Sequence, residues 1–164
     1  MRVYLPATLP LLRQWLVADA AAVSGPAFAV TPELREWYFE ADLEELEHAA
    51  QTAAATEALR LIAADPAAAP RRIVIAADVD DGAVSPDPTA GRAAVAVSGP
   101  IPRARWGSAL VDDETAAPVV RSGAARITAA DAGDADAQFE VDEVEAHELG
   151  WYAVQELQVF AQPS

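Results

Sequence analysis

Cysteine, lysine and asparagine are absent from all 164 residues. The first absence removes disulfides, thiolate zinc sites, iron–sulfur clusters and cysteine nucleophiles. The second removes Schiff-base chemistry, a pyridoxal phosphate anchor and any Walker-type phosphate lysine. Long apolar runs are missing too, because Arg, Asp or Pro interrupts each one before the ~20 residues a spanning helix requires. The opening Met1-Arg2-Val3-Tyr4-Leu5-Pro6 lacks the apolar stretch of a secretory signal. The expectation is a cytoplasmic protein with no membrane association.

Positive charge is scarce. Eleven arginines face 26 acids, for a net charge of −15. Such a surface repels phosphate, so direct binding to a nucleic-acid backbone is not expected. The acidity serves solubility, or it offers an acidic face to a basic protein partner. Alanine supplies about a quarter of the chain and buries little area, so the Leu, Ile, Val and aromatic residues define the candidate core. The length suits a single domain over 1–164, large enough to need no disulfide or metal staple.

The pattern predicts a strand over Arg2–Ala7 and a helix over Leu9–Ala18 capped by Thr8. Thr31-Pro32-Glu33 opens a second helix, with the cap, the proline and the acid each in its favoured place. Asp42, with Glu45 three residues on, starts a longer helix that ends near Asp65-Pro66. Arg71–Val79 is the clearest strand, apolar enough to be covered on both sides. Strands at Ala93–Ser98 and Arg103–Val111 would complete a meander with it. A short helix over Glu114–Ser122 follows, weakened by Pro118 and Gly123. The acidic, alanine-rich stretch 129–142 is expected to be mobile, and Leu149–Leu157 reads as strand or helix. Consecutive strands in the middle favour an α+β two-layer sandwich, with a mixed sheet of about five strands and helices on one face. A three-layer α/β sandwich is the alternative.

Three blocks carry a resemblance: Arg2-Val3-Tyr4-Leu5-Pro6-Ala7-Thr8, then Phe28 to Tyr38 with Glu44-Glu45-Leu46-Glu47, then His147-Glu148-Leu149-Gly150-Trp151-Tyr152. Together they resemble a family of small acidic proteins of high-GC actinobacteria known as a domain of unknown function. The resemblance spans nearly the whole chain. It implies no activity and transfers no catalytic residue.

The candidate chemistry is local. Asp78, Asp80 and Asp81 follow a hydrophobic strand, where carboxylates can hold Mg²⁺ or Mn²⁺ and orient a phosphoryl group. A strand ending in an Asp-Gly turn gives the same residues for backbone reasons. Glu45 and His48 stand at i, i+3 on one helix face, a spacing used by metal-binding bundles, but there is no second copy of the motif. His147, between Glu145 and Glu148, is the other histidine, so any histidine acid–base chemistry uses His48 or His147. Asp131, Asp134, Asp136 and Glu140 match a calcium loop poorly, with no Gly at the sixth position. Arg103 and Arg105 can clamp an anion or answer acids on the long helix. Trp37, Tyr38, Trp151 and Tyr152 are interface candidates that also suit a core.

No complete catalytic set emerges, and no cofactor is expected. The leading expectation is a non-enzymatic protein-interaction or regulatory domain. The alternative is a small Mg/Mn-dependent hydrolase or phosphoryl-handling enzyme built on Asp78, Asp80 and Asp81.

Overall fold

A computed structural model describes residues 1–161. The α+β expectation holds. The chain runs β1 (Arg2–Ala7), α1 (Leu9–Ala18), β2 (Ala20–Ala21), β3 (Ala27–Phe28), α2 (Pro32–Trp37) and α3 (Leu43–Ala64). Then come β4 (Ile73–Asp78), β5 (Val84–Pro86), β6 (Ala94–Val97), β7 (Ile101–Pro102) and β8 (Trp106–Val111). The remainder is α4 (Ala117–Asp131), α5 (Ala135–Glu145), β9 (Gly150–Tyr152) and a closing 3-10 segment, Val154–Phe160.

Seven strands form one sheet in the order β5-β6-β3-β1-β4-β8-β9, and β2 with β7 forms a small second one. Every pairing is antiparallel, where a mixed sheet of about five strands was expected. The expected meander does not form. β1 pairs with β4 along its full length, from Arg2 opposite Asp78 to Ala7 opposite Ile73, and β6 lies beyond β3.

Strand alternation divides the core. Val3, Leu5, Ile73, Ile75, Ala109 and Val111 face α1 and the closing 3-10 segment, where Leu12, Trp15, Leu157 and Phe160 meet them. Tyr4, Val74 and Ala76 point the other way, onto Leu34, Leu46, Ala50 and Ala54 of α2 and α3. β4 is therefore covered on both faces, as its continuous apolar sequence requires. Helical cover is not confined to one face: α3 lies on one side of the sheet and α1 on the other.

The caps work as their residue types predict. Thr8, Thr31 and Asp42 accept from the backbone N–H of Leu11, Leu34 and Glu45. The distal half of α3 buries Leu59 and Ile62 against Val120, Ile127, Val141 and Val144 of an α4–α5 hairpin. This hairpin includes 129–142, which is helical except for a short turn. Its acids have specific partners. Asp131 pairs with Arg60, Asp134 caps α5 through the N–H of Ala137, and Glu140 pairs with Arg126. Ala137 and Val141 sit at helical spacing on a buried face. α4 also outruns its expected end at Ser122. Pro118 lies in its first turn, where no N–H is missed, and Gly123 lies in the packed interface.

Candidate functional site

A deep concavity lies between α3, the sheet and the segment joining α5 to β9. Its volume is about 520 Å³, within the range of small-ligand sites. One face of α3 supplies His48, Gln51, Thr52 and Ala55, positions that stack on a 3.6-residue helix. Val74 and Leu110 give the sheet an apolar floor, extended by Leu149. Glu145, His147 and Glu148 form the opposite wall. The two histidines, far apart in sequence, therefore share one cleft. Glu45, although on the same helix as His48, does not line it.

Arg72 anchors the cleft. Its side chain is almost wholly buried at the entry to β4, beside Asp112 at the exit from β8. Antiparallel pairing of the two strands places these residues together. Asp112 Oδ2 accepts from Arg72 Nε and from the Arg72 backbone N–H, each at 2.8 Å. Asp112 Oδ1 accepts from Nη2 at 2.8 Å. Nη2 also donates to the carbonyl of His147 at 2.9 Å, which fixes the cleft wall to the sheet. The wall's other end is held where Thr56 Oγ1 donates to Glu145 at 3.3 Å. One nitrogen of the guanidinium, Nη1, has no acceptor among the described residues. No fully buried side-chain nitrogen or oxygen among them lacks a partner, so Nη1 is not completely enclosed, and Arg72 is one of the residues that line the cleft.

Nearby, Tyr4 reaches Glu47 through its hydroxyl at 3.5 Å, and burial raises its phenol above the ordinary value.

The aspartate candidates lie elsewhere, each beside a cation of the chain itself. Arg2 binds Asp78 at 3.0 Å, Arg105 binds Asp80 at 3.4 Å, and the N-terminal ammonium binds Asp81 at 3.1 Å. Asp78, Asp80 and Arg105 border a second depression of about 300 Å³. Among the described residues, no three His, Asp or Glu side chains are grouped to hold a metal ion. Arg103 pairs with Asp19 at 3.7 Å, so neither it nor Arg105 answers acids on α3.

The aromatic candidates divide. Trp37 and Tyr38 are 59% and 48% exposed at the turn between α2 and α3, with Phe39 at 81% and Leu43 at 53% beside them. The Arg92 guanidinium stacks 3.6 Å above Trp37. Trp151 is exposed, whereas Tyr152 is half-buried and meets Phe160 edge-on.

Sequence reasoning missed Arg72, Asp112, Gln51, Thr52 and Phe39. A signal existed for the first two. Arg71-Arg72 precedes one core strand and Asp112-Asp113 follows another, so an antiparallel pairing would make each pair answer the other.

No helix of the described residues is long and apolar enough to cross a membrane. No curated protein and no solved structure matches the chain. Residues 1–160 match a family described as "Family of unknown function (DUF6912)", and the chain belongs to that family.

Proposed function

We propose that this is a non-enzymatic binding domain whose cleft between α3 and the α5–β9 segment receives a small organic ligand. One observation carries the reading: a buried arginine, neutralised by Asp112, lines a half-apolar cavity while one of its guanidinium nitrogens has no acceptor among the described residues. A purely structural arginine would spend that nitrogen within the fold as well. Catalysis is less well served. Among the described residues neither imidazole has a partner to orient it, and an activated nucleophile needs a base held in place by a third group. The test is a fragment screen followed by amide chemical shifts. Hits should move His48, Gln51 and His147 and be lost when Thr52→Trp fills the cleft. Shifts scattered over the surface, with no cluster at the cleft, would refute the reading.

A second reading, docking of a protein partner, is favoured by the exposed corner Trp37-Tyr38-Phe39 with Leu43. Seven acids and one arginine lie within 33–47, so an apolar surface is set inside a negative rim. A basic amphipathic segment complements both features. Titrating an arginine–leucine helical peptide should give salt-sensitive binding that Phe39→Ser weakens. Equal binding by Phe39→Ser would remove this corner from consideration. A cytoplasmic, high-GC actinobacterial setting accords with the lysine-free, Ala- and Arg-rich composition.

A further inference from the structure

The cleft's carboxylates stand on one wall and its arginine on the other. On the sheet and α3 side stand Arg72, Gln51, Thr52 and His48. Each side chain carries at least one N–H or O–H, and the histidine does so in either charge state. On the opposite wall stand Glu145 and Glu148, both exposed, with His147 between them in the chain. Glu145 spends one oxygen on Thr56 and keeps the other. Between the two sides lies the apolar floor of Ala55, Val74, Leu110 and Leu149.

From this arrangement, and resting on the reading of the cleft as a ligand site, we infer that the ligand is a small zwitterion. It carries a carboxylate toward Arg72 and α3, a primary ammonium toward Glu145 and Glu148, and an apolar body on the floor. An apolar α-amino acid has this chemistry. Two simpler ligands fit less well. A plain carboxylic acid would satisfy the Arg72 edge but lie against two glutamates. It would also approach a protein of net charge −15 as a like charge. A plain amine would satisfy the glutamates and leave the Arg72 N–H without an acceptor. The zwitterion has no net charge, so it meets no long-range repulsion, and its two ends match the two walls. Arg72 suits the carboxylate end because its own charge is already balanced by Asp112, leaving directional hydrogen bonds rather than bare attraction.

The experiment uses the full chain and three matched probes: L-phenylalanine, 3-phenylpropionate and phenethylamine. Affinity is read by amide chemical shifts at His48, Gln51 and His147. Phenylalanine should bind about tenfold or more tightly than either half-analogue, a margin of about 1.4 kcal/mol. Glu148→Gln, at an exposed site where the fold is not at risk, should weaken phenylalanine and strengthen 3-phenylpropionate. If 3-phenylpropionate or phenethylamine binds as tightly as phenylalanine at the cleft, the zwitterion is wrong and the cleft stands. If none of the three moves those resonances at about 10 mM, where even weak millimolar binding would register, while the protein remains folded, both the zwitterion and the cleft reading fail.

Discussion

Removing the charge of Asp112 tests the Arg72 arrangement most directly. Asp112→Asn preserves volume and replaces one acceptor oxygen with an NH₂ group. Both oxygens receive N–H groups from Arg72, so either amide orientation sets a donor against a donor. The guanidinium meanwhile stays buried with its charge uncompensated. Breaking a buried pair by removing one partner costs about 3–5 kcal/mol, against a whole-domain stability of about 5–15 kcal/mol. In urea the midpoint should fall by about 1–3 M. In a thermal scan it should fall by about 6–20 °C for a chain of this size. Buried Trp15 and Trp106 report the transition by fluorescence. The double variant Arg72→Met with Asp112→Leu replaces the pair by apolar groups of similar volume, which is often nearly neutral. It should recover part of the loss, since the backbone N–H of residue 72 and the His147 carbonyl still lose their partners, and, if the cleft reading is right, fold without binding the ligand. A single-variant cost under about 1 kcal/mol, or a double variant as unstable as the summed singles, would refute the reasoning.

Gly123 tests the α4–α5 contact. A Cβ there would collide with a methyl of buried Val144 and touch Leu59, so Gly123→Ala should cost about 1–3 kcal/mol despite alanine's better helix propensity. Adding Val144→Ala should reduce the cost of the glycine change, as a double-mutant cycle in denaturant would show. Asp134→Ala removes the α5 cap and should cost about 1 kcal/mol in the same assay. Two acids beside Arg60 should respond oppositely to pH. The Arg60 hydrogen bond lowers the Asp131 carboxyl below its usual value, so its stabilisation is present at neutral pH and lost as pH falls through the folded value. Burial raises Glu57 despite Arg60, so Glu57→Gln should raise stability at neutral pH and lose that advantage as acid protonates the wild-type carboxyl. Stability curves from pH 3 to pH 7 that run parallel for Asp131→Asn, Glu57→Gln and the parent would contradict both assignments.

Local interactions were readable from the chain. Thr8, Thr31 and Asp42 cap helices because a side-chain oxygen there bonds the first free N–H groups, which needs no knowledge of the rest of the fold. The strand over 73–78 was readable because only burial on both faces calls for so apolar a run. Strand order was not. Placing β1 between β3 and β4 joins residues about seventy positions apart, and no periodicity encodes that choice. The stretch 129–142 misled because its composition suggests disorder. Its helices depend on Arg60 from α3 and on the apolar spacing of Ala137, Val141 and Val144. The site divides along the same line. His48, His147, Glu145 and Glu148 could each be singled out in the sequence, whereas their shared cleft depends on an α5–β9 segment fixed by the Arg72 bond to a backbone carbonyl. Arg72 itself stood beside a strand, where a charge usually marks an exposed end.

The charge distribution bears on what such a surface can recognise. At least seven of the eleven arginines, at positions 2, 60, 71, 72, 103, 105 and 126, pair with acids of the same chain. Much of the positive charge is thereby used within the fold, and the surface is left with an excess of carboxylates. That excess repels a polyanion, and the repulsion strengthens at low salt. The ligands proposed above are neutral overall or basic. A zwitterion in the cleft satisfies the first condition and a basic segment at the aromatic corner the second. Both sites draw on the first half of α3, where Leu43 stands in the corner and His48 in the cleft, about 7.5 Å apart along the helix axis. Added salt should therefore separate them. It should weaken the basic peptide at Phe39 steeply and the zwitterion hardly at all, because only the former gains from the net charge of the whole molecule.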